Sequence, residues 1–219
     1  MHNVTVAFAV LLVMLLSYFF GCFNGSFMVS HFIIRDDVRK HGCGNAGLTN
    51  FYRTYGAKYA LLVIACDMGK TVAACLLGSF FFRCLGWDGT LGTLLAGLGC
   101  ERGHIFPVFY GFRGGKGILS GGTLVLLLNW RVAAVAWALF LLLWLTTRYV
   151  SLASITATCS APITVYFVYS HNWLYTGLCL AVAALVVWCH RENIQRLLHG
   201  TEKKFKWHVN PTEGKDPPK

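Results

Sequence analysis

Apolar positions fill this chain in blocks about as long as a membrane crossing, separated by short polar turns and two longer polar stretches. Residues 4–23 form one such block without a charge, and residues 59–82 form a second with Asp67 and Lys70 inside it. Segments 90–106 and 117–130 are shorter and Gly-rich, and 132–147, 150–169 and 173–189 complete the series. A helix needs about 20 mostly apolar residues to cross a bilayer. The pattern therefore predicts an all-α, polytopic integral membrane bundle of about seven transmembrane helices, or five or six if a short segment dips in without crossing. The first block has no basic flank before it and no small-residue cleavage site after it, so it reads as a retained helix and not a signal peptide.

Composition agrees. Of the 219 residues 56% are hydrophobic and only 13% charged, where a soluble domain carries about 25% charged residues. Disorder, a coiled coil and an ordinary soluble enzyme are excluded on that ground. Orientation follows from Lys and Arg, which favour the cytoplasmic side. With seven crossings, nearly all of the 19 Lys and Arg fall on one side, leaving only Arg83 and Arg131 opposite and Lys70 within a span. That split places the N-terminus outside and the C-terminus in the cytoplasm. The net charge of +10 then collects on the cytoplasmic face, where it attracts anionic headgroups and phosphorylated substrates and calls for no nucleic acid. The nine cysteines are scattered without a CxxC pair, so neither a disulfide framework nor a metal site is expected. No cofactor is called for.

The polar stretches carry the chemistry, and all of it lies on the predicted cytoplasmic side. Residues 30–58 are rich in Gly and Asn, residues 107–117 read PVFYGFRGGKG, and residues 190–200 form an amphipathic segment with Ile194, Leu197 and Leu198 on one side. We expect residues 1–206 to form a single membrane-embedded domain and 207–219 a disordered cytoplasmic tail.

In the run 41–50, Gly42, Gly44 and Gly47 let backbone amides approach an anion closely. Cys43, Asn45, Thr49 and Asn50 add side chains, and Arg53 follows. A bland turn could use the same composition, and the Gly-Lys-Ser/Thr ending of a P-loop is absent. In the second run, Gly114, Gly115 and Gly117 surround Lys116 at the start of an apolar segment, either as a positive-inside anchor or as amides at a helix N-terminus beside a cation. Two such runs on one side favour a two-phosphate site. Asp67 and Lys70, at i, i+3, can meet on one helix face. Each costs about 2.5–3.5 kcal/mol at mid-bilayer, so they face the bundle as an orienting ion pair or as support for a site. His104 precedes a helix-ending Pro107, His190 and Asn193 stand where the last span meets the cytoplasm, and Ser151 and Ser154 follow Arg148 at another boundary.

Together these runs resemble the bacterial acyl-phosphate:glycerol-3-phosphate acyltransferase family of the PlsY type. The family pattern is roughly Gly-Ser-Gly-Asn-x-Gly-Ala-Thr-Asn, then Arg-Thr-x-Gly, then Gly-His-x-Phe-Pro followed by Phe-Lys-Gly-Gly-Lys-Gly. Residues 42–50, 53–56, 103–107 and 112–117 match it in order, and 37–39, Asp67 with Lys70, 151–154 and 190–193 also look like family features. Cys43 stands where the family has Ser, Leu48 where it has Ala, and Arg113 where it has Lys.

The resemblance implies transfer of a fatty acyl group from acyl phosphate to the sn-1 hydroxyl of glycerol 3-phosphate, giving lysophosphatidic acid and phosphate. It places the protein in the bacterial inner (cytoplasmic) membrane with its active site on the cytoplasmic side. Its partners would be membrane lipid and the enzyme supplying acyl phosphate. In this reading the 42–50 cradle takes the leaving acyl phosphate, with Thr49 and Asn50 as donors. Arg53 and Lys116 clamp phosphate, and His190, Asn193, Ser151 and Ser154 position glycerol 3-phosphate. A transporter or channel for a phosphorylated solute is the alternative that a basic vestibule would also suit, but no inverted repeat supports it.

Overall fold

The computed structural model describes residues 2–206, with side chains from residue 4 onward; the expected disordered tail lies outside the described residues. Ten α-helices and no strand are present among them: α1 (His2–Cys22), α2 (Gly25–Met28), α3 (Leu48–Tyr55), α4 (Ala60–Cys84), α5 (Gly89–Ile105), α6 (Ile118–Leu128), α7 (Trp130–Thr147), α8 (Val150–Val168), α9 (Trp173–Cys189) and α10 (Arg191–Leu198). A π-helical turn (Val29–Ile34) and two 3-10 turns (Val38–Lys40 and Val108–Tyr110) join them. Each of the seven apolar segments is a helix. Four stretches, Val4–Ile34, α4, α7 and α8, are long and apolar enough to cross a membrane, and α9 with α10 makes a fifth if that pair, bent by 59°, is one span. At 17 and 11 residues, α5 and α6 are the short members.

The helix starts are local events. Asp88 accepts from the Thr90 amide at 2.8 Å to begin α5, and Asn172 accepts from Leu174 and Tyr175 at 3.1 Å to begin α9. Asn129 accepts from the Arg131 amide at 2.9 Å. That cap starts α7 at Trp130, so Trp130 belongs to α7 and not to the segment 117–130 in which the apolar pattern had placed it.

The middle of the bundle is α5, buried along nearly its whole length. Its small residues let neighbours approach as helices do where lipid offers no hydrophobic drive to pack. A Cβ on Gly99 would lie 2.6 Å from the Met14 carbonyl oxygen of α1, and one on Gly78 of α4 would lie 2.6 Å from the Gly92 carbonyl oxygen of α5. A second group, α6 to α9, packs through Val125, Leu128, Val132, Ala136, Ala161 and Val165 around Leu94 of α5.

Between these groups α4 carries the two charges that cannot face lipid. Asp67 Oδ1 accepts from Lys70 Nζ at 2.8 Å and from the Gly25 amide at the start of α2 at 3.0 Å. Lys70 Nζ also donates to His104 Nδ1 of α5, at 2.7 Å. All three side chains are buried. The triad ties α2, α4 and α5 at one level, just beneath the polar loops.

Candidate active site

The first Gly-rich run is held by Asn50. Its Nδ2 donates to the carbonyls of Val38, His41 and Asn45 at 3.1, 3.0 and 3.0 Å, and its Oδ1 accepts from the Cys43 amide at 3.0 Å. With 3% of its surface exposed, Asn50 has its amide committed to the loop and offers no donor to a ligand. Gly42 and Gly44 adopt φ of +62° and +68° there, a region open to Gly at no steric cost. Gly42, Cys43 and Gly44 are exposed on the rim, and Asn45, Gly47 and Thr49 are half-buried beside them.

The second run folds against the first. The Ala46 amide donates to the Gly114 carbonyl at 3.3 Å, so the two Gly-rich runs adjoin. From the N-cap of α2, Asn24 Nδ2 donates to the Ala46 carbonyl at 2.9 Å. The amides of Gly114 and Gly115 bond the Ile105 and His104 carbonyls at 3.1 and 3.0 Å, satisfying the C-terminal end of α5. Those two amides are therefore not offered to a ligand. A Cβ on either glycine would collide with His104, whose ring lies under the loop as its support. Gly117, at φ +82°, begins α6, and the first amides of that helix have no intrahelical partner. Glu101 of α5 lies against Gly117 and Gly121, 1% exposed, with neither carboxyl oxygen hydrogen-bonded among the described residues.

Lys116 leaves the loop toward the α9–α10 elbow, where its Nζ donates to Asn193 Oδ1. Asn193 Nδ2 donates to Glu202 Oε1 at 2.7 Å, and Ser151 Oγ donates to the same oxygen at 2.8 Å. Arg196 Nε donates to Glu202 Oε2 at 2.8 Å. Burial opposes the Glu202 charge, yet the Arg196, Asn193 and Ser151 bonds together hold its carboxyl below the usual carboxylate range. Lys116 is pushed below the usual lysine range, first by burial and then by Arg196, while Cys43, Glu202 and Glu192 act in the other direction.

His190, just beyond α9, places Nδ1 2.7 Å from the Val186 carbonyl. A carbonyl only accepts, so Nδ1 carries the proton and Nε2 keeps its lone pair. Burial, with Lys116 nearby, lowers the ring to about 4 against the pull of the Val186 bond. Ser154, one turn beyond Ser151, is buried with no partner for Oγ among the described residues.

The segment 201–206 returns across these groups. The Phe205 amide donates to the Arg148 carbonyl at 2.8 Å, the Phe205 ring stacks on Tyr52 with centroids 5.4 Å apart, and Arg53 Nη2 donates to the Lys203 carbonyl at 3.1 Å. Arg53 is thereby bound to the returning segment on the α3 side of the site.

Lys116, Asn193 and Ser151 thus come together around Glu202, and Arg53 is tied to the segment 201–206 that carries it. His104 and Asn50 instead hold the loops. The roles of Glu202, Arg196, Glu101 and Asn24 were not drawn from the sequence. Glu202 left one signal, a lone acid directly before the basic run Lys203, Lys204 and Lys206.

Comparison with known proteins covers most of the chain. A family model described as glycerol-3-phosphate acyltransferase matches residues 11–200. The glycerol-3-phosphate acyltransferase of Finegoldia magna is 38% identical over 189 residues, 86% of this chain and 92% of that protein. That of Syntrophomonas wolfei is 37% identical over 192 residues, 88% and 95% of the two chains. A crystal structure of PlsY, an integral membrane glycerol 3-phosphate acyltransferase, in its glycerol 3-phosphate form superposes with a TM-score of 0.80 at 35% identity, over 90% of this chain and 96% of that one. Its lysophosphatidic acid form gives 0.78 at 33% identity, over 90% and 95%.

Proposed function

The chain belongs to the glycerol-3-phosphate acyltransferase family, and from that premise we propose that it acylates the sn-1 hydroxyl of glycerol 3-phosphate with acyl phosphate as donor, releasing lysophosphatidic acid and phosphate. The observation that carries this reading is the Ala46–Gly114 junction of the two Gly-rich runs, with Lys116 and Asn193 joined beside it. Such a site can hold two phosphorylated molecules against their mutual repulsion. Two unit charges about 4 Å apart interact by roughly 4 kcal/mol at an effective dielectric of 20, so each anion needs its own cation. Lys116 and Arg53 supply them. The free amides that open α6 add fixed dipoles at the site.

The substrate hydroxyl attacks the acyl carbonyl carbon, the C–O bond to phosphate breaks, and the hydroxyl proton leaves with the phosphate or through His190. His190 is neutral at physiological pH with Nε2 as its acceptor, which suits it to orient that hydroxyl. Ser151 and Ser154 stand on the same side, and Ser154 Oγ has capacity for a substrate oxygen. An acyl phosphate is a mixed anhydride with a good leaving group, so attraction and alignment supply most of what the reaction needs.

Further parts of the reading belong to the same proposal. Residues 1–206 act as one membrane-embedded domain crossing seven times, α5 and α6 included. The N-terminus lies outside, and the active site faces the cytoplasm at the inner membrane of a bacterial cell, where the donor-forming enzyme delivers acyl phosphate. The distribution of Lys and Arg supports that orientation.

Protein in lipid, given labelled glycerol 3-phosphate with palmitoyl phosphate or palmitoyl-CoA, tests the activity and the donor together. Lysophosphatidic acid is expected from the acyl phosphate alone, reduced about 100-fold or more by Lys116→Ala. Product from palmitoyl-CoA would overturn the donor assignment, and no product from either would overturn the enzyme reading.

A further inference from the structure

Helix α5 is buried or half-buried from Gly89 to Ile105 with one exception, Arg102, which is exposed. Its guanidinium has no hydrogen bond or ion pair among the described residues. Phe106, one turn later along α5, packs its ring against Trp188 near the end of α9, with centroids 5.9 Å apart. Arg191, the first residue of α10, lies over the same indole, 4.3 Å from its centroid, and donates from Nη1 to the Trp188 carbonyl at 3.2 Å. A guanidinium has five donors, so most of those on Arg191 remain for a ligand. The neighbouring acids are engaged elsewhere: Glu101 lies against Gly117, and Glu192 reaches Arg196 at 3.9 Å. These two cations stand where lipid meets the bundle. Helix α9 exposes Leu180, Ala184 and Trp188 at intervals of four residues, an apolar stripe that leads along the helix to the indole. An exposed Trp at the end of such a stripe marks the headgroup level. Arg102 lies about 6 Å below Phe106 along α5, at 1.5 Å per residue, and its long side chain can reach that level.

We propose that Arg102 and Arg191 clamp the phosphate of an acidic phospholipid whose acyl chain lies along the Leu180–Ala184–Trp188 stripe. An arginine left unpaired beside lipid is costly, and two phosphate oxygens offer the planar, bidentate contact that a guanidinium fits. The apolar stripe identifies a lipid as the occupant, since a free phosphate would leave it unused. The second cation selects an acidic headgroup over a zwitterionic one, because a choline or ethanolamine brings its own positive charge against it. The inference does not depend on the acyl-transfer reading. Arg191 directly follows His190, however, so the bound lipid would tie α5 to the α9–α10 elbow that carries Asn193.

Native mass spectrometry of the full chain in detergent, titrated with dioleoyl phosphatidylglycerol or dioleoyl phosphatidylcholine, tests this. Unaltered protein is expected to retain one phosphatidylglycerol about tenfold more tightly than phosphatidylcholine. Arg102→Gln and Arg191→Gln are each expected to remove that preference. Arg102→Lys, which keeps the charge and loses the fork, is expected to fall between them and unaltered protein. Arg131→Gln takes away an arginine that lies over the Trp130 ring at the other end of the bundle, and is expected to keep the preference. Lys116→Ala is expected to keep it too, which separates this site from the one for substrate phosphate. Equal retention of the two lipids, an unchanged preference in Arg102→Gln, the same loss in Arg131→Gln or Lys116→Ala, or displacement of the lipid by millimolar inorganic phosphate would overturn the inference. None of those outcomes touches the acyltransferase reading, which stands or falls on lysophosphatidic acid formation.

Discussion

Gly117 combines two demands that a single side chain would break. Its φ of +82° is costly for any residue with a Cβ, by about 1–2 kcal/mol, and that Cβ would run into the Glu101 carboxyl. Gly121, one turn later, has ordinary helical geometry, and a Cβ there would meet Glu101 Oε1 at 3.2 Å, a contact that a small shift relieves. Gly117→Ala should therefore lower the thermal midpoint and cut lysophosphatidic acid formation about tenfold or more, with Gly121→Ala close to unaltered protein in both. Equal behaviour of the two variants would remove Glu101 and the positive φ from the account. Asn50 teaches a related lesson. As a donor next to Thr49 it looked like a ligand to phosphate, yet three carbonyls and the Cys43 amide occupy it. Residue type and spacing show that an Asn can donate, whereas which groups lie within 3 Å depends on how the loop closes.

At the scale of elements, the returning segment 201–206 depends on one carboxylate. Glu202 is held below its ordinary value, so its contribution is present above the usual glutamate range and is lost as pH falls through the lowered folded-state value. Hydrogen exchange at the Phe205 amide, which bonds Arg148, reads this directly. Protection should be constant from neutral pH down to the usual carboxylate range and drop below it, and in Glu202→Gln it should be low and independent of pH throughout. Protection in unaltered protein that stays flat to the acid limit would detach the strap from Glu202. The tie between α2, α4 and α5 was half visible beforehand. The i, i+3 spacing of Asp67 and Lys70 already placed them on one face of α4, but the Gly25 amide and His104 that complete the set come from elsewhere in the chain.

At the scale of the whole molecule, two native thiols report orientation. Cys43 on the rim of the site and Cys84 at the end of α4 are both exposed, and seven crossings put them on opposite sides of the membrane. A membrane-impermeant maleimide applied to intact right-side-out vesicles should label Cys84, with Cys43 labelled only after permeabilisation. Labelling of both before permeabilisation, or of Cys43 alone, would overturn the orientation. Cys159 is exposed as well, but it lies in the middle of α8, where a polar reagent has no access.

The sequence alone determined the helices and the segments between which the chemistry lies. Hydrophobic blocks, N-capping Asp and Asn residues and the Lys/Arg bias act over a few residues and need no knowledge of the fold. Composition and motif order likewise pointed to a phosphate-handling membrane protein before any contact was known. Tertiary structure alone decided which groups remain free for a ligand. Gly114 and Gly115 give their amides to the end of α5, His104 turns toward Lys70, and Glu202 reaches back 51 residues to Ser151. A hydrogen-bonding group can serve a ligand only where the fold has left it without a partner, and those partners come from distant parts of the chain.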